Sequence, residues 1–109
     1  MERPSDAQQA ILQQIVEHAG NLASVLEAQF ASCKTEPMVE GCGECFEIEV
    51  TGDVQRLPES TERPLSFAVR EGTGALSVLI WHEDGLVNGL EVNSYIHPHA
   101  ALTDLVIVD

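Results

Sequence analysis

The hydrophobic pattern changes period once along the chain. In the first third, apolar residues recur at helical spacing: Ile11, Leu12, Ile15, Val16 and Ala19, then Leu22, Val25, Leu26 and Phe30. Ser5 with Gln8 fits a capping box, in which two side chains satisfy free N–H groups at a helix start. Gly20-Asn21 reads as a stop followed by a fresh N-cap, which predicts a pair of helices. The alternative is one long helix with a glycine defect of about 1 kcal/mol. In both versions residues 1–31 are helical.

From Cys33 onward the period shortens to two. Phe46, Ile48 and Val50 alternate with Glu47, Glu49 and Thr51, the pattern of a half-buried strand. A short strand at Met38-Val39 and a turn at Gly41-Cys42-Gly43 are expected before it. Residues 52–64, with Pro58 and Pro64, predict a loop. Leu65, Phe67 and Val69 alternate again, and Gly72-Thr73-Gly74 is the next turn. Leu76 to Tyr95 predicts a hairpin turning near Asp84-Gly85. A two-residue loop would set Val78 against Glu91 and mix the faces. A three-residue loop, Glu83-Asp84-Gly85, sets Val78 against Leu90 and Leu76 against Val92 with Gly85 left-handed, and is the expected register. Leu105 to Val108 predict a last strand. The whole reads as an α+β fold: an N-terminal helix or helix pair packed on one antiparallel sheet of four to six strands. One domain, 1–109, is expected, with 36–109 mainly antiparallel strands.

Charge narrows the function classes. The 109 residues carry a net charge of −13, which repels nucleic acid and anionic lipid and suits a basic protein partner. Acidity of this kind also serves solubility alone. The 44% hydrophobic content argues against disorder. No apolar run approaches the ~18 residues of a membrane span. The opening Met1-Glu2-Arg3-Pro4 lacks the basic and apolar regions of a signal peptide, so a cytoplasmic protein is expected.

Four sets of residues could carry chemistry. Cys42 and Cys45 flank a turn in the CxxC spacing of a tetrahedral zinc site, with Cys33 as a third ligand and His82, His97, His99 or a carboxylate as the fourth. The competing reading is a glycine turn with Cys45 packed as a small apolar residue. The odd cysteine count does not suggest a disulfide framework. His97-Pro98-His99 could ligate a metal, or could be a loop leaving the strand. His18 falls in the last turn of the first helix, where it suits the helix dipole. Glu36, Glu40, Glu44, Glu47 and Glu49 crowd one stretch, with Lys34 just before it as the single base. Glu47 and Glu49 share a strand face, either as a solvated face or, with Glu91, as a docking stripe for a basic protein. Leu79, Trp81 and Val87 lie opposite the expected core set, and Trp81 is the only tryptophan. Either that side of the sheet is covered, or it meets a partner or a second copy in a homodimer. No GxSxG, P-loop, GxGxxG-helix or HExxH pattern occurs.

The segment Glu40 to Val50, together with Asp84-Gly85-Leu86-Val87-Asn88-Gly89-Leu90-Glu91-Val92-Asn93-Ser94-Tyr95, resembles a scattered group of small uncharacterised bacterial proteins. These carry a Cys-Gly-x-Cys turn into a strand and a late hairpin of the form DG-L-x-x-LE-V/I-x-x-Y. Similar hairpins occur in some immunity proteins of bacterial toxin systems, which bind a toxin enzyme and catalyse nothing. The resemblance implies an acidic, non-catalytic interaction module. The other readings are a small zinc-binding module on Cys42 and Cys45, and an enzyme of unknown class.

Overall fold

A computed structural model describes residues 1–38, 44–72, 75–94 and 101–108. The helical stripe forms two helices, α1 (Asp6–Glu17) and α2 (Ala23–Ala31). The capping box forms as its sequence predicts: Gln8 N–H donates to Ser5 Oγ at 3.2 Å, and Ser5 N–H donates to Gln8 Oε1 at 2.9 Å. The first helix ends at Glu17 with His18 as its C-cap, Gly20 follows with φ +58°, and Asn21 is not the next cap. A single 3₁₀ turn, Gly20–Leu22, takes its place, and Leu22 stands at the N-cap of α2 without a side-chain hydrogen bond.

Five strands follow: β1 (Cys33–Pro37), β2 (Phe46–Val50), β3 (Leu65–Ala68), β4 (Ala75–Glu83) and β5 (Leu86–Ser94). They form one antiparallel sheet in the order β1-β2-β5-β4-β3. The architecture is the expected α+β arrangement of N-terminal helices and an antiparallel sheet. The first strand departs from the expectation at Met38-Val39. Cys33 and Thr35 alternate with Lys34 and Glu36, so pairing begins at once after α2, with Met38 N–H donating to Cys45 O just beyond β1. Val39 lies outside the described residues, as do the Gly41-Cys42-Gly43 turn and part of the Gly72-Thr73-Gly74 turn.

One face of the sheet carries Phe46, Ile48, Phe67, Val78, Ile80, Leu90 and Val92, all buried in one cluster with Ile11, Leu12, Ile15, Val16, Val25 and Leu26 of the helices. This is the amphipathic solution that both periods demand, each element hiding its apolar side against the other. Met1, Leu76 and Trp81 are the large hydrophobic residues left exposed among the described ones.

The hairpin register differs from the three-residue loop. Asp84 (φ 53°) and Gly85 (φ 81°) both have positive φ and form a two-residue connection of the type I′ kind, with Glu83 paired to Leu86 and His82 to Val87. The register then shifts between Trp81 and His82, so Trp81 pairs with Gly89 and Val78 with Val92 rather than Leu90. The extra residue that face matching requires is therefore a bulge at Asn88, inside the strand and not in the turn. Val78, Ile80, Leu90 and Val92 keep the core face, but Val87 changes side. A second shift at Leu76 removes it from the core face, where it had been expected opposite Val92, and leaves it 51% exposed.

Two buried or half-buried glutamines join the layers. Gln29 on α2 is fully buried; its Nε2 donates to Gln55 O and Gly85 O, and its Oε1 accepts from Val87 N–H, each at 2.9 Å. Leu57 N–H also donates to Gly85 O, and Arg56 Nη1 to Asp84 O, so the hairpin tip is held by the helix and by the 51–64 loop. On α1, Gln14 donates to Leu105 O and accepts from Ile107 N–H. The expected last strand is there as one bridge, Val69 to Ile107, along the β3 edge. A matching bridge, Glu2 to Thr35, lies along the β1 edge.

Candidate functional site

The side of the sheet away from the helices gathers most of the residues that the sequence singles out. Period-two alternation puts Glu47 and Glu49 of β2 there, exposed, because Phe46 and Ile48 face the core. The β4–β5 ladder adds Trp81, which is 37% exposed, and the half-buried Leu79 paired with Glu91. Val87 does not join them. The bulge at Asn88 inverts its side, and it is 2% exposed in the core beside His82. Its assignment to the partner face therefore fails on parity.

Pairing across this face is electrostatically uneven. Lys34 lies opposite Glu49, an ordinary complementary pair, but Glu36 lies directly opposite Glu47. Like charges on directly opposed positions destabilise a sheet by up to about 1 kcal/mol. The row continues from Glu47 to Gly89 and from Gly89 to Trp81. Around Gly89 lies an open depression of about 490 Å³, bordered by Met38, Glu47, Arg63, Trp81, Glu83 and Glu91. The alternation argument missed Gly89, Met38 and Arg63. The detectable signal was Gly89 itself, a glycine inside an otherwise well-patterned strand.

The proposed ligand set divides differently. Cys33 pairs with Val50 at one end of the β1–β2 ladder, whereas Cys45 precedes Phe46 at the other. Five residue steps of about 3.4 Å separate the two levels, roughly 17 Å, whereas sulfurs sharing one zinc lie within about 4 Å. Cys45 is disulfide-bonded and buried, with its sulfur accepting from Val92 N–H at 3.3 Å. Cys33 is a free, buried thiol that donates to Phe30 O at 3.2 Å, and burial pushes its pKa above the usual thiol value. The structure thus does not bring Cys33 and Cys45 to one site, and a bonded Cys45 has no thiolate to offer. Cys42, His97 and His99 lie outside the described residues. Among the described residues no group of three or more histidine, cysteine, aspartate or glutamate side chains is placed to hold a metal ion.

Other candidates have structural partners. His18 caps α1, its Nδ1 lying 2.9 Å from Gln14 O, as its place near the helix end predicts. His82 is buried on the core face with Nε2 2.6 Å from Glu62 O, which ties β4 to the loop before β3. Glu44 accepts from Leu102 N–H at the start of the 3₁₀ turn Leu102–Asp104. Glu40 lies outside the described residues.

No helix among the described residues is long and apolar enough to cross a membrane. No family model, no curated protein and no solved structure matches this chain.

Proposed function

We propose that the chain is a non-catalytic interaction module that binds a basic protein through the outer face of its sheet, in the manner of an immunity protein. One observation carries the reading: Glu36 directly opposes Glu47 on the row that leads to the exposed Trp81. A sheet selected only for stability would alternate charges there, as Lys34 and Glu49 do. A local rule broken in this way marks a place where sequence serves something other than folding. A partner presenting cations opposite Glu36, Glu47, Glu49 and Glu91 would relieve the repulsion, while Trp81 and Leu79 supply the apolar centre common to interface hot spots. The net charge of −13 would speed the encounter.

The test is capture on the immobilised chain from an extract of its source cell, followed by association kinetics with the purified partner. The expected partner is basic, its association rate falls steeply with salt, and the triple variant Glu47→Lys/Glu49→Lys/Glu91→Lys abolishes binding. A partner whose association rate ignores salt and which still binds the triple variant would overturn the reading.

A further inference from the structure

Within that face Gly89 needs an explanation. Glycine weakens a strand interior, and there it commonly marks close approach by a ligand or another backbone. Two ordinary reasons for a glycine are absent. Its φ is not positive, so the backbone does not demand it. Crowding does not demand it either: an added Cβ would meet Met38 Cε at 3.2 Å, the mobile end of a flexible side chain, and Phe46 O at an ordinary 3.7 Å. What the glycine does is leave a place in the row between Glu47 and Trp81 that only the flexible Met38 methyl overlies, at the edge of the depression.

The lining of the depression is chemically specific. Trp81 and Met38 both line it, and an indole and a thioether suit an aliphatic stem. Its lining also includes Glu47, Glu83 and Glu91 against one basic residue, Arg63. An anionic group would meet three like charges there, and an apolar group would strip water from carboxylates without pairing them. A cation beside an indole gains both Coulomb attraction and the ring quadrupole.

We propose that the depression over Gly89 receives one lysine or arginine side chain of the basic partner. The flexible Met38 side chain swings off Gly89 to admit the stem, which lies between it and Trp81, and the charged head lies beside Glu47 and Glu91. This rests on the proposed function and adds the anchor that the partner must present.

Because Trp81 is the only tryptophan, its indole N–H resonance is a single unambiguous reporter. The ¹⁵N-labelled chain is titrated at low salt with acetyl-Gly-Arg-Gly-amide, with its lysine counterpart and with its norleucine counterpart. The expected result is saturable shifts at the Trp81 indole and the Gly89 amide with the two cationic peptides and none with norleucine. Gly89→Val, whose Cβ meets nothing closer than the flexible Met38 methyl, weakens cationic-peptide binding about tenfold or more. Its spectrum elsewhere, including Ile11 and Ile15, stays native and shows that the fold is kept. Equal shifts with norleucine, or undiminished binding by Gly89→Val, would overturn the proposal. If Glu36 and Glu49 respond to the cationic peptides while Trp81 and Gly89 do not, the depression is not the receptor although the face survives as a binding surface. Silence across the whole outer face removes the anchor and the broader reading together.

Discussion

Gly85 and Gly89 lie four residues apart on the same hairpin and do opposite things. At Gly85 an added Cβ would come within 2.7 Å of Arg56 Cβ and 2.9 Å of Leu57 O, at a φ of +81° that side chains rarely adopt. There the missing side chain lets two pieces of backbone close on each other, and Gln29 locks the closure with three hydrogen bonds. At Gly89 the missing side chain lets nothing of comparable rigidity come close. The same residue type serves packing at the tip of the hairpin and leaves space on its outer face. The difference separates an end of the molecule built for stability from a surface whose composition stability does not explain.

The sharpest way to break the closed end is Gln29→Ala. It leaves Val87 N–H and Gln55 O without their partner in the core and opens a cavity, for an expected loss of roughly 3–5 kcal/mol in denaturant unfolding. Gly85→Ala follows, with roughly 2–3 kcal/mol expected from the unfavourable φ and the contact with Leu57 backbone. Gly89→Ala, by contrast, should stay within about 1 kcal/mol of the parent, since strand propensity gained offsets the displacement of Met38. Equal losses for the two alanine variants would erase the distinction between the glycines. On the outer face, Glu47→Lys replaces a like-charge pair with a complementary one, so stability should rise by roughly 0.2–1 kcal/mol. A fall in the unfolding midpoint of that variant would remove the case for electrostatic sacrifice on the outer face.

The smallest expected effect concerns the core and pH. Burial raises the Cys33 thiol above its ordinary 9.0, which favours the neutral form in the folded state. Below that value both folded and unfolded chains hold the proton, and the group leaves stability unchanged with pH. Above it the unfolded chain ionises first, so stability falls as pH rises between the ordinary value and the raised one. Cys33→Ala should flatten the alkaline part of the stability profile relative to the parent, measured by denaturant midpoints on either side of pH 9.0.

Elements fixed by local rules were legible in the sequence. Ser5 and Gln8 sit at capping-box spacing, and Phe46, Ile48 and Val50 alternate cleanly, so α1 and β2 follow from neighbours alone. The hairpin was legible in its faces but not in its register. Parity demanded one additional residue, and parity is satisfied equally by a longer turn or by a bulge. Asp84 and Gly85 both accept positive φ, so the tight turn formed and the extra residue went to Asn88. That choice moved Val87 from the expected partner face into the core. Gln29 does not stand out in the sequence pattern. Its position, three beyond Leu26 and four beyond Val25, puts it on the buried stripe, and a polar residue there signals a nonlocal tie. Which backbone groups it binds depends on the hairpin tip 56 residues away, beyond the reach of a local pattern. On the candidate site, alternation correctly placed Glu47, Glu49, Leu79, Trp81 and Glu91 on one side. It could not place Met38 or Arg63, which reach the depression from outside the regular strands.

The two short bridges at the sheet margins carry a further consequence. With Glu2 bridged to Thr35 in the middle of β1, Pro37 offering no amide hydrogen at its end, and Ile107 bridged to Val69 just past β3, each selvedge of the fabric is tacked down at one point. A visitor therefore finds little unbroken backbone to knit onto and must grip side chains projecting from the weave. Recognition of that sort can drift by single substitutions on the wet surface while the scaffold beneath stays the same.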